Sequence, residues 1–466
     1  MAQRLRERAV RLEELGRVRE RPVERDRGSA LAGEPLEDRS DTRIQRLITD
    51  GRNATLTLAP PHPGGASHTA DTDVDFGTLA AVSGPRALVI GGTGPTGPFV
   101  VEGLHRRGYE VTILHGGQHE VEFAVGDVRH IHVDPHFRET LEEGIGAETY
   151  DLVVAQYGRL RIIADVFSGR TERLVAIGGA TALFAGDEDA RWGAIGQPAL
   201  FPDTSDVFVR DPGEDGRRKL GFRMVEAMEG LLANHAAGAY SATYIAYPVN
   251  YGARTPGPYD WATVRRLLDG RERIVVADGG IKLESRVYTE NAAAAVLLAI
   301  DNAEFAAGKR YAVADRYAFT MRQRIEFIAR HLGRQVELVD MPWDVAWPCH
   351  PLYRHRREHL LCQSTLIREE LGYDDAVEPD VALARYVDWL VEHPPEPGGE
   401  LERQVGDPFD YAAEDALIER WSRARGGLGE IVSPLPQQGH QYRHPKKAGE
   451  AWTPTSASGP AGRASR

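Results

Sequence analysis

A glycine-rich turn is the segment whose residue types and spacing point most directly to chemistry. It fits both G-x-x-G-x-x-G and G-x-G-x-x-G, and it reads Gly91, Gly92, Thr93, Gly94, Pro95, Thr96 and Gly97. It follows an apolar run and opens a helical pattern, the context in which such a turn binds phosphate. Glycines let the main chain approach a diphosphate, and the free N–H groups and positive dipole end of the next helix attract it. We therefore predict that residues 91–97 bind a dinucleotide; a turn without ligand is the alternative.

The adenosine half of such a ligand is met about 20 positions further on, at the end of the second strand. An acidic residue there favours the free 2′-hydroxyl of NAD, and an arginine favours the 2′-phosphate of NADP. His115 and Gly116 stand at this place. His115 can serve either cofactor, so NAD and NADP both stay open. Asp134, after the third strand, is predicted to accept from the adenine amino group or to cap the following helix.

The elements that position these residues are short apolar runs that alternate with helical patterns. Strands are predicted at 86–90, 109–114, 130–133, 151–155 and 173–177, with helices such as 136–144 and 159–168 between them. This alternation is typical of parallel βαβ units. We expect an α/β protein with a Rossmann-type, doubly wound parallel sheet.

Composition limits the possible partners and the compartment. Of the 466 residues 42% are hydrophobic, which is enough for a packed core. The net charge of −13 argues against a nucleic-acid partner. No apolar run approaches the roughly 20 residues of a membrane span, so no membrane partner is expected. The two cysteines, Cys349 and Cys362, fit a reducing compartment, and we predict a cytoplasmic protein.

Changes in composition along the chain predict four regions. Residues 1–83 are predicted to be a charged, largely disordered leader, because they cannot bury enough apolar surface to offset ordering entropy; a partner-binding helix is the alternative. Residues 84–395 form the main domain, 396–432 a docking extension, and 433–466 a disordered tail. The extension's apolar residues are predicted to dock on the main domain or to form a homodimer surface; they are Phe409, Tyr411, Leu417 and Trp421.

The chain resembles the extended short-chain dehydrogenase/reductase superfamily, and within it the NAD-dependent epimerase/dehydratase family. The resemblance rests on GGTGPTG at 91–97, VTILHGG at 111–117, AQYG at 155–158, YPVNYGAR at 247–254 and DGGIKLESRVYTENAAAAVLLAI at 278–300. It implies a nicotinamide cofactor at the carboxyl ends of the strands, lined by Gln156, Tyr157 and Pro248. It also implies a smaller C-terminal substrate lobe, mainly 250–395.

The catalytic residues of the family are replaced in this sequence. The family uses a Ser or Thr after the fifth strand and a Tyr-x-x-x-Lys pair on one helix face; its lysine lowers a tyrosine pKa that is otherwise near 10. Glycines 178 and 179 stand at the first position, and Gly221 and Val225 at the second. We predict substitute catalytic groups, which are Tyr157, Thr181 and Lys219.

Further polar residues are candidates for the substrate side or for a metal. The resemblance places Tyr251, Arg254, Arg286 and Tyr288 beside the substrate. The arginines can clamp a phosphate or carboxylate, or form ordinary salt bridges. Histidines near 115–136 and a group from Cys349 to Cys362 include zinc-compatible ligands. Because neither group shows a paired ligand motif, we predict no metal site.

These features predict an NAD(P)-binding, epimerase/dehydratase-like oxidoreductase. It would act on a hydroxyl or carbonyl of a small-molecule substrate, with a sugar nucleotide as one candidate, and would use an atypical proton donor. The alternative is a non-catalytic dinucleotide-binding sensor or scaffold. The absence of the Ser and of the Tyr-x-x-x-Lys pair favours this alternative.

Overall fold

The computed structural model describes residues 84–117, 120–126, 128–179, 203, 216–346, 357, 359–428 and 448–449, with the backbone alone at 216–219. The predicted leader and most of the predicted tail lie outside these residues. None of the described helices combines the length and apolar character needed to cross a bilayer.

Eleven strands occur within the described ranges. They are β1 (Arg86–Ile90), β2 (Glu110–His115), β3 (Arg129–His132), β4 (Tyr150–Ala155), β5 (Thr171–Gly179), β6 (Ser241–Tyr247), β7 (Val249–Tyr251), β8 (Arg273–Ala277), β9 (Arg286–Tyr288), β10 (Lys309–Ala312) and β11 (Glu337–Met341). Seven of them form one sheet in the order β10-β6-β5-β4-β1-β2-β3. All of its neighbouring strands are parallel. The predicted doubly wound fold is confirmed.

The helices of the same ranges are α1 (Gly97–Arg106), α2 (Arg138–Ile145), α3 (Leu160–Val166), α4 (Gly216–Ala236), α5 (Trp261–Leu268), α6 (Thr289–Asp301), α7 (Ala303–Ala306), α8 (Met321–His331), α9 (Trp343–Ala346), α10 (Thr365–Leu371), α11 (Pro379–Glu392), α12 (Glu400–Val405) and α13 (Tyr411–Gly426). Helices α1 and α6 pack on one face of the sheet, and α2, α3 and α4 on the other. In β1, Ala87 and Val89 face the first layer, whereas Leu88 and Ile90 face the second. Burial on both faces explains why the strands are almost continuously apolar.

A second core lies in the C-terminal lobe, beside two small parallel sheets, β11-β8 and β7-β9. The spacing of Val264, Leu267 and Leu268 predicts an amphipathic helix over 261–270 with all three side chains inward. This helix is α5. Val264 and Leu267 are buried in this core, but Leu268 is 42% exposed. The inward orientation expected for Leu268 is wrong, because one further residue rotates the side chain about 100° round the helix, towards solvent.

Helices α12 and α13 pack on the lobe. Val405 and Ile418 belong to its core, and Phe409, Leu417 and Trp421 pack against it. A buried ion cluster joins the same elements. The Arg266 side chain is 1% exposed and donates to Asp407 at 2.5 Å and to Glu414. The two carboxylates compensate a guanidinium that would otherwise be buried with its charge unbalanced.

Replacing Arg266 by Ala should lower the free energy of unfolding by about 3–5 kcal/mol, since it leaves two carboxylates without their cation. Arg423→Ala is the control, because Arg423 is exposed and, among the residues that the structure describes, pairs only with exposed Glu419 four residues earlier. It should change stability by less than about 0.5 kcal/mol. Urea unfolding of both variants measures this. Equal effects would show that the buried cluster does not hold the extension on the lobe.

Candidate functional site

The turn between β1 and α1 is closed by contacts that exclude side chains. Gly91 has a φ of 90°, in the left-handed region, and a Cβ there would lie 2.5 Å from the Cβ of Tyr157. A Cβ at Gly92 would lie 2.7 Å from Cγ2 of Ile113, and one at Gly97 would overlap the carbonyl oxygen of Gly92. The packing of the protein itself therefore requires three of the predicted glycines.

Gly94 differs from these three. A Cβ there would meet only the carbonyl oxygen of Gly91, at an ordinary 3.5 Å. The Gly94 N–H donates to that oxygen at 3.2 Å, and the Gly97 N–H donates to the oxygen of Gly94 at 3.0 Å. Nothing among the described residues requires a glycine at 94. Close approach of a ligand to the main chain would require one.

Polar side chains lie beneath the turn at the end of β4. The Thr96 hydroxyl donates to Gln156 Oε1 at 2.6 Å but does not cap α1. Tyr247 also contacts Thr96, and burial raises the pKa of Tyr247 to about 12. Gln156 Nε2 is buried and has no hydrogen-bond partner among the described residues. A buried amide donor without a hydrogen-bond partner lowers the stability of the fold by about 1–3 kcal/mol. We therefore expect a ligand or a water molecule to provide an acceptor there.

His115 lies at the predicted adenosine end, buried where β2 ends. Burial lowers the pKa of its imidazole, which favours the neutral ring. The Gly117 N–H donates to His115 Nδ1 at 3.2 Å. Gly116, between them, is exposed. His115 and Gly116 therefore stand at the sheet edge where the sequence predicts them.

Asp134 is exposed after β3 and accepts from both the N–H and the Nδ1 of His136, at 2.9 and 2.8 Å. The hydrogen bond from the His136 backbone is the main reason that the pKa of Asp134 is lowered. The N-cap of α2 is Phe137. The alternative that Asp134 caps this helix is wrong, while the adenine contact stays a prediction.

The strand ends on the other side of β1 carry the predicted catalytic residues. Tyr157 is 57% exposed and lies edge-on to His136, with 4.8 Å between the ring centroids. Pro248 lies half-buried between β6 and β7. Thr181 lies outside the described residues. Lys219 lies on α4, but its side chain is not described.

The structure explains the glycine that replaces the family serine. A Cβ at Gly178 would overlap the hydroxyl of Tyr244, a residue of β6 that sequence reasoning missed. Tyr244 is buried, and this burial raises its pKa to about 12. A serine at 178 would require Tyr244 to move. Val225, at the position where the sequence resemblance expects a lysine, is buried and apolar.

Two of the predicted substrate residues differ in how their charge is balanced. Arg254 is exposed, has a φ of 62°, and has no ion-pair partner within the described part of the chain. Arg286 is buried and pairs with Asp260 at 3.3 Å and with Glu284 at 3.4 Å. Arg254 is the more available of the two for an anionic substrate. The roles of both residues stay predictions.

The second group of possible metal ligands is only partly described. His359 Nδ1 accepts from the Leu283 N–H at 2.9 Å, and the Cys362 N–H donates to Ser285. The other members, Cys349, His350 and His355, lie outside the described residues. The two described members therefore join the 283–285 segment to the chain at 359–362.

Solved structures of epimerases have the same architecture. The UDP-glucose 4-epimerase of Thermotoga maritima, solved with UDP-glucose, matches with a TM-score of 0.51 and 18% identity over 66% of this chain and 99% of that one. The UDP-Glc/GlcNAc 4-epimerase of Campylobacter jejuni matches with a TM-score of 0.51 and 13% identity, over 66% and 100% of the two chains. The chain has the fold of the NAD-dependent epimerases and dehydratases. This confirms the fold that the sequence resemblance implies.

No model of a protein family matches the sequence, and neither does a curated protein. Identities this low show the epimerase fold alone. The chemistry of the site has to be argued from its own residues.

In this epimerase fold a buried carboxylate connects the sheet to the lobe. Asp315, after β10, accepts from the Tyr251 hydroxyl at 2.7 Å, the Tyr288 N–H at 3.0 Å and Asn291 Nδ2 at 3.0 Å. Asn291 in turn donates to the carbonyl of Val377 and accepts from its N–H. Tyr251 and Tyr288, both predicted to contact substrate, are thus buried parts of this junction.

Burial raises the pKa of Asp315 to about 6. Between about pH 4 and 6 the folded chain therefore holds a proton that the unfolded chain has lost, and stability falls as pH rises through this window. Asp315→Asn should remove about 1–3 kcal/mol of this pH dependence. Urea unfolding at pH 4.5 and 7 measures it. The exposed control Asp344→Asn should keep the wild-type slope; a variant slope identical to wild type would place the titration elsewhere.

Proposed function

We propose that this chain binds a nicotinamide dinucleotide at the carboxyl ends of β1, β2 and β4 and acts on a hydroxyl or carbonyl substrate as an epimerase/dehydratase-like oxidoreductase. Gly94 carries the proposal, because it is the one glycine of 91, 92, 94 and 97 that the described packing does not require. A diphosphate lying against the turn would require it.

The residues present fit such a coenzyme. The first turn of α1 has no side-chain cap, and the positive end of its dipole, beside the space next to Gly94, favours phosphate. His115 and Gly116 would meet the adenosine ribose, and Asp134 the adenine. Gln156 Nε2 is a buried donor in need of an acceptor. NAD(H) is the first candidate because the solved relatives are epimerases of the NAD-dependent fold, with NADP(H) as the alternative.

The bound nicotinamide would supply reversible hydride transfer. The protein would then have to move a proton at the substrate oxygen and bind the substrate. Tyr157 offers an exposed phenol at the end of β4, with Thr181 and Lys219 as further candidates. Arg254, whose guanidinium has no ion-pair partner among the described residues, would bind a phosphate or carboxylate of the substrate. Sugar nucleotides, on which the solved epimerases act by name, carry such phosphates.

A second candidate function is supported by a specific observation. Tyr244 fills the space where the family serine would stand, and apolar Val225 is buried at the lysine position. These replacements suit a protein that binds a dinucleotide without turnover. A non-catalytic sensor or scaffold is therefore the alternative, and turnover measurements must distinguish it from an enzyme.

Gly94→Asp should weaken dinucleotide binding at least tenfold, about 1.4 kcal/mol, because it sets a negative charge against the diphosphate. Gly94→Ala should also weaken binding while leaving stability nearly unchanged, since its Cβ makes only an ordinary contact. Calorimetric titration with NAD⁺, NADH, NADP⁺ and NADPH measures this. Gly230→Ala is the matched control, because its added methyl meets open space. No heat with any of the four, or no effect of Gly94→Asp, would contradict the proposed binding.

Tyr157→Phe should lower turnover of sugar nucleotides about 10²–10⁴-fold without changing coenzyme affinity, because it removes the phenolic hydroxyl that would exchange the proton and keeps the aromatic ring. Purified protein is assayed for bound nicotinamide and for its reduction by candidate sugar nucleotides. Exposed Tyr317→Phe is the control. If Tyr157→Phe, Thr181→Ala and Lys219→Ala all retain full turnover, the proton donor is a different group. Tight coenzyme binding with no reduction by any substrate would favour the sensor.

A further inference from the structure

Three histidines and a glutamate converge where β2 and β3 end. The register of these parallel strands pairs His115 with His132. His130 lies two residues before His132, so all three imidazoles share one face of the sheet. Glu120 follows the bend after β2. The possible ligand atoms of the four residues all lie within 4.8 Å of one another.

The distances between these atoms match those of a metal site. His115 Nε2 lies 3.1 Å from His130 Nδ1. The Glu120 carboxylate lies 3.3 Å from His130 Nδ1 and 3.3 Å from His132 Nε2. In a tetrahedral site with bonds of about 2.0–2.1 Å, ligand atoms are separated by roughly 3.3 Å. These three separations are already close to those of neighbouring corners of such a site, and the other pairs of ligand atoms lie within 4.8 Å.

The geometry of the cluster directs several polar atoms towards one point. The Gly117 N–H donates to His115 Nδ1, so Nε2 is the ring nitrogen of His115 that faces the cluster. This Nε2 and a carboxylate oxygen of Glu120 both lie beside His130 Nδ1, at 3.1 and 3.3 Å. A cation held between these atoms would meet an electron pair from each of the three groups.

The burial of the cluster suits an ion that enters from solvent. His115 is buried, whereas the side chains of His132 and Glu120 are 54% and 59% exposed. Phe123 lies edge-on to His130, with 6.2 Å between the ring centroids, and forms an apolar wall. One side of the site is thus fixed by the sheet, and the other is open.

We infer that His115, His130, His132 and Glu120 bind a divalent transition-metal ion of the zinc class. Three imidazole nitrogens and one carboxylate oxygen are a donor set for Zn²⁺ rather than for Ca²⁺ or Mg²⁺, which take oxygen ligands. Binding through Nε2 moves the His115 ring proton to Nδ1, so the contact from the Gly117 N–H is lost. The site is inferred from the protein's own side chains and does not depend on the proposed coenzyme.

The test uses the full chain without a polyhistidine tag, stripped of metal with a chelator that is then removed. Zn²⁺ is titrated against a chromophoric competitor, and Co²⁺ is followed by the visible absorption that distinguishes tetrahedral from octahedral coordination. We expect one equivalent of Zn²⁺ with a Kd that is roughly micromolar or tighter. His132→Asn and Glu120→Gln should each weaken binding at least tenfold and alter the Co²⁺ spectrum. Both residues are mostly exposed, so these variants keep the fold.

His105→Asn is the matched control, since His105 is exposed on α1, away from the cluster; it should bind Zn²⁺ like wild type. An amide NMR signal of Gly117 that shifts on addition of one equivalent would support loss of its contact to His115. The inference is overturned if no zinc binds, which would leave a proton as the cation of the cluster. It is also overturned if zinc binds equally well to both cluster variants, which would place the ion elsewhere. Neither result bears on coenzyme binding at Gly94.

Discussion

The approach of three backbone segments at the end of β1 is the constraint on which the site depends. Gly91 lies against Tyr157 of the β4 end, Gly92 against Ile113 of β2, and Gly97 against Gly92 itself. Because no side chain at these glycines separates the segments, α1 starts directly above the sheet edge with the positive end of its dipole beside the ends of the neighbouring strands. That geometry brings His115 on one side and Gln156 on the other to the same edge. A looser turn would move the helix away and separate the two halves of the site.

The positions where the sequence resemblance expects catalytic groups hold residues that serve packing. The sheet requires only that the space beside β5 be filled, and Tyr244 from the neighbouring strand fills it where Gly178 contributes no side chain. Likewise, Val225 packs in the apolar interface between α4 and the sheet. Tyr244 and Val225 both preserve the packing density on which the fold depends, whereas the fold does not depend on the hydroxyl and ammonium groups that the resemblance expects at these places. Fold similarity alone therefore says little about turnover in this chain.

The sequence is sufficient for the layers of the fold but not for its polar contacts. The strand predicted at 109–114 is Glu110–His115, and the one at 151–155 is Tyr150–Ala155. These boundaries are close because strands buried on both faces are apolar along their length. In contrast, Arg286 meets Asp260, which lies 26 positions away, and His115 meets His132 only through the strand register. Such pairs depend on which elements of the fold become neighbours, and local spacing carries no information about that.

The burial of Arg266 also constrains how the lobe is made on the ribosome. Its partners Asp407 and Glu414 lie 141 and 148 positions further along the chain. At about 5–20 residues per second, translation needs roughly 7–30 seconds to pass from the arginine to both acids. During that interval α5 carries a guanidinium whose counter-charges do not yet exist, so the nascent lobe cannot close over it without an unbalanced charge. Closure of the lobe over Arg266 with both of these carboxylates in place is therefore possible only after α13 has been synthesised.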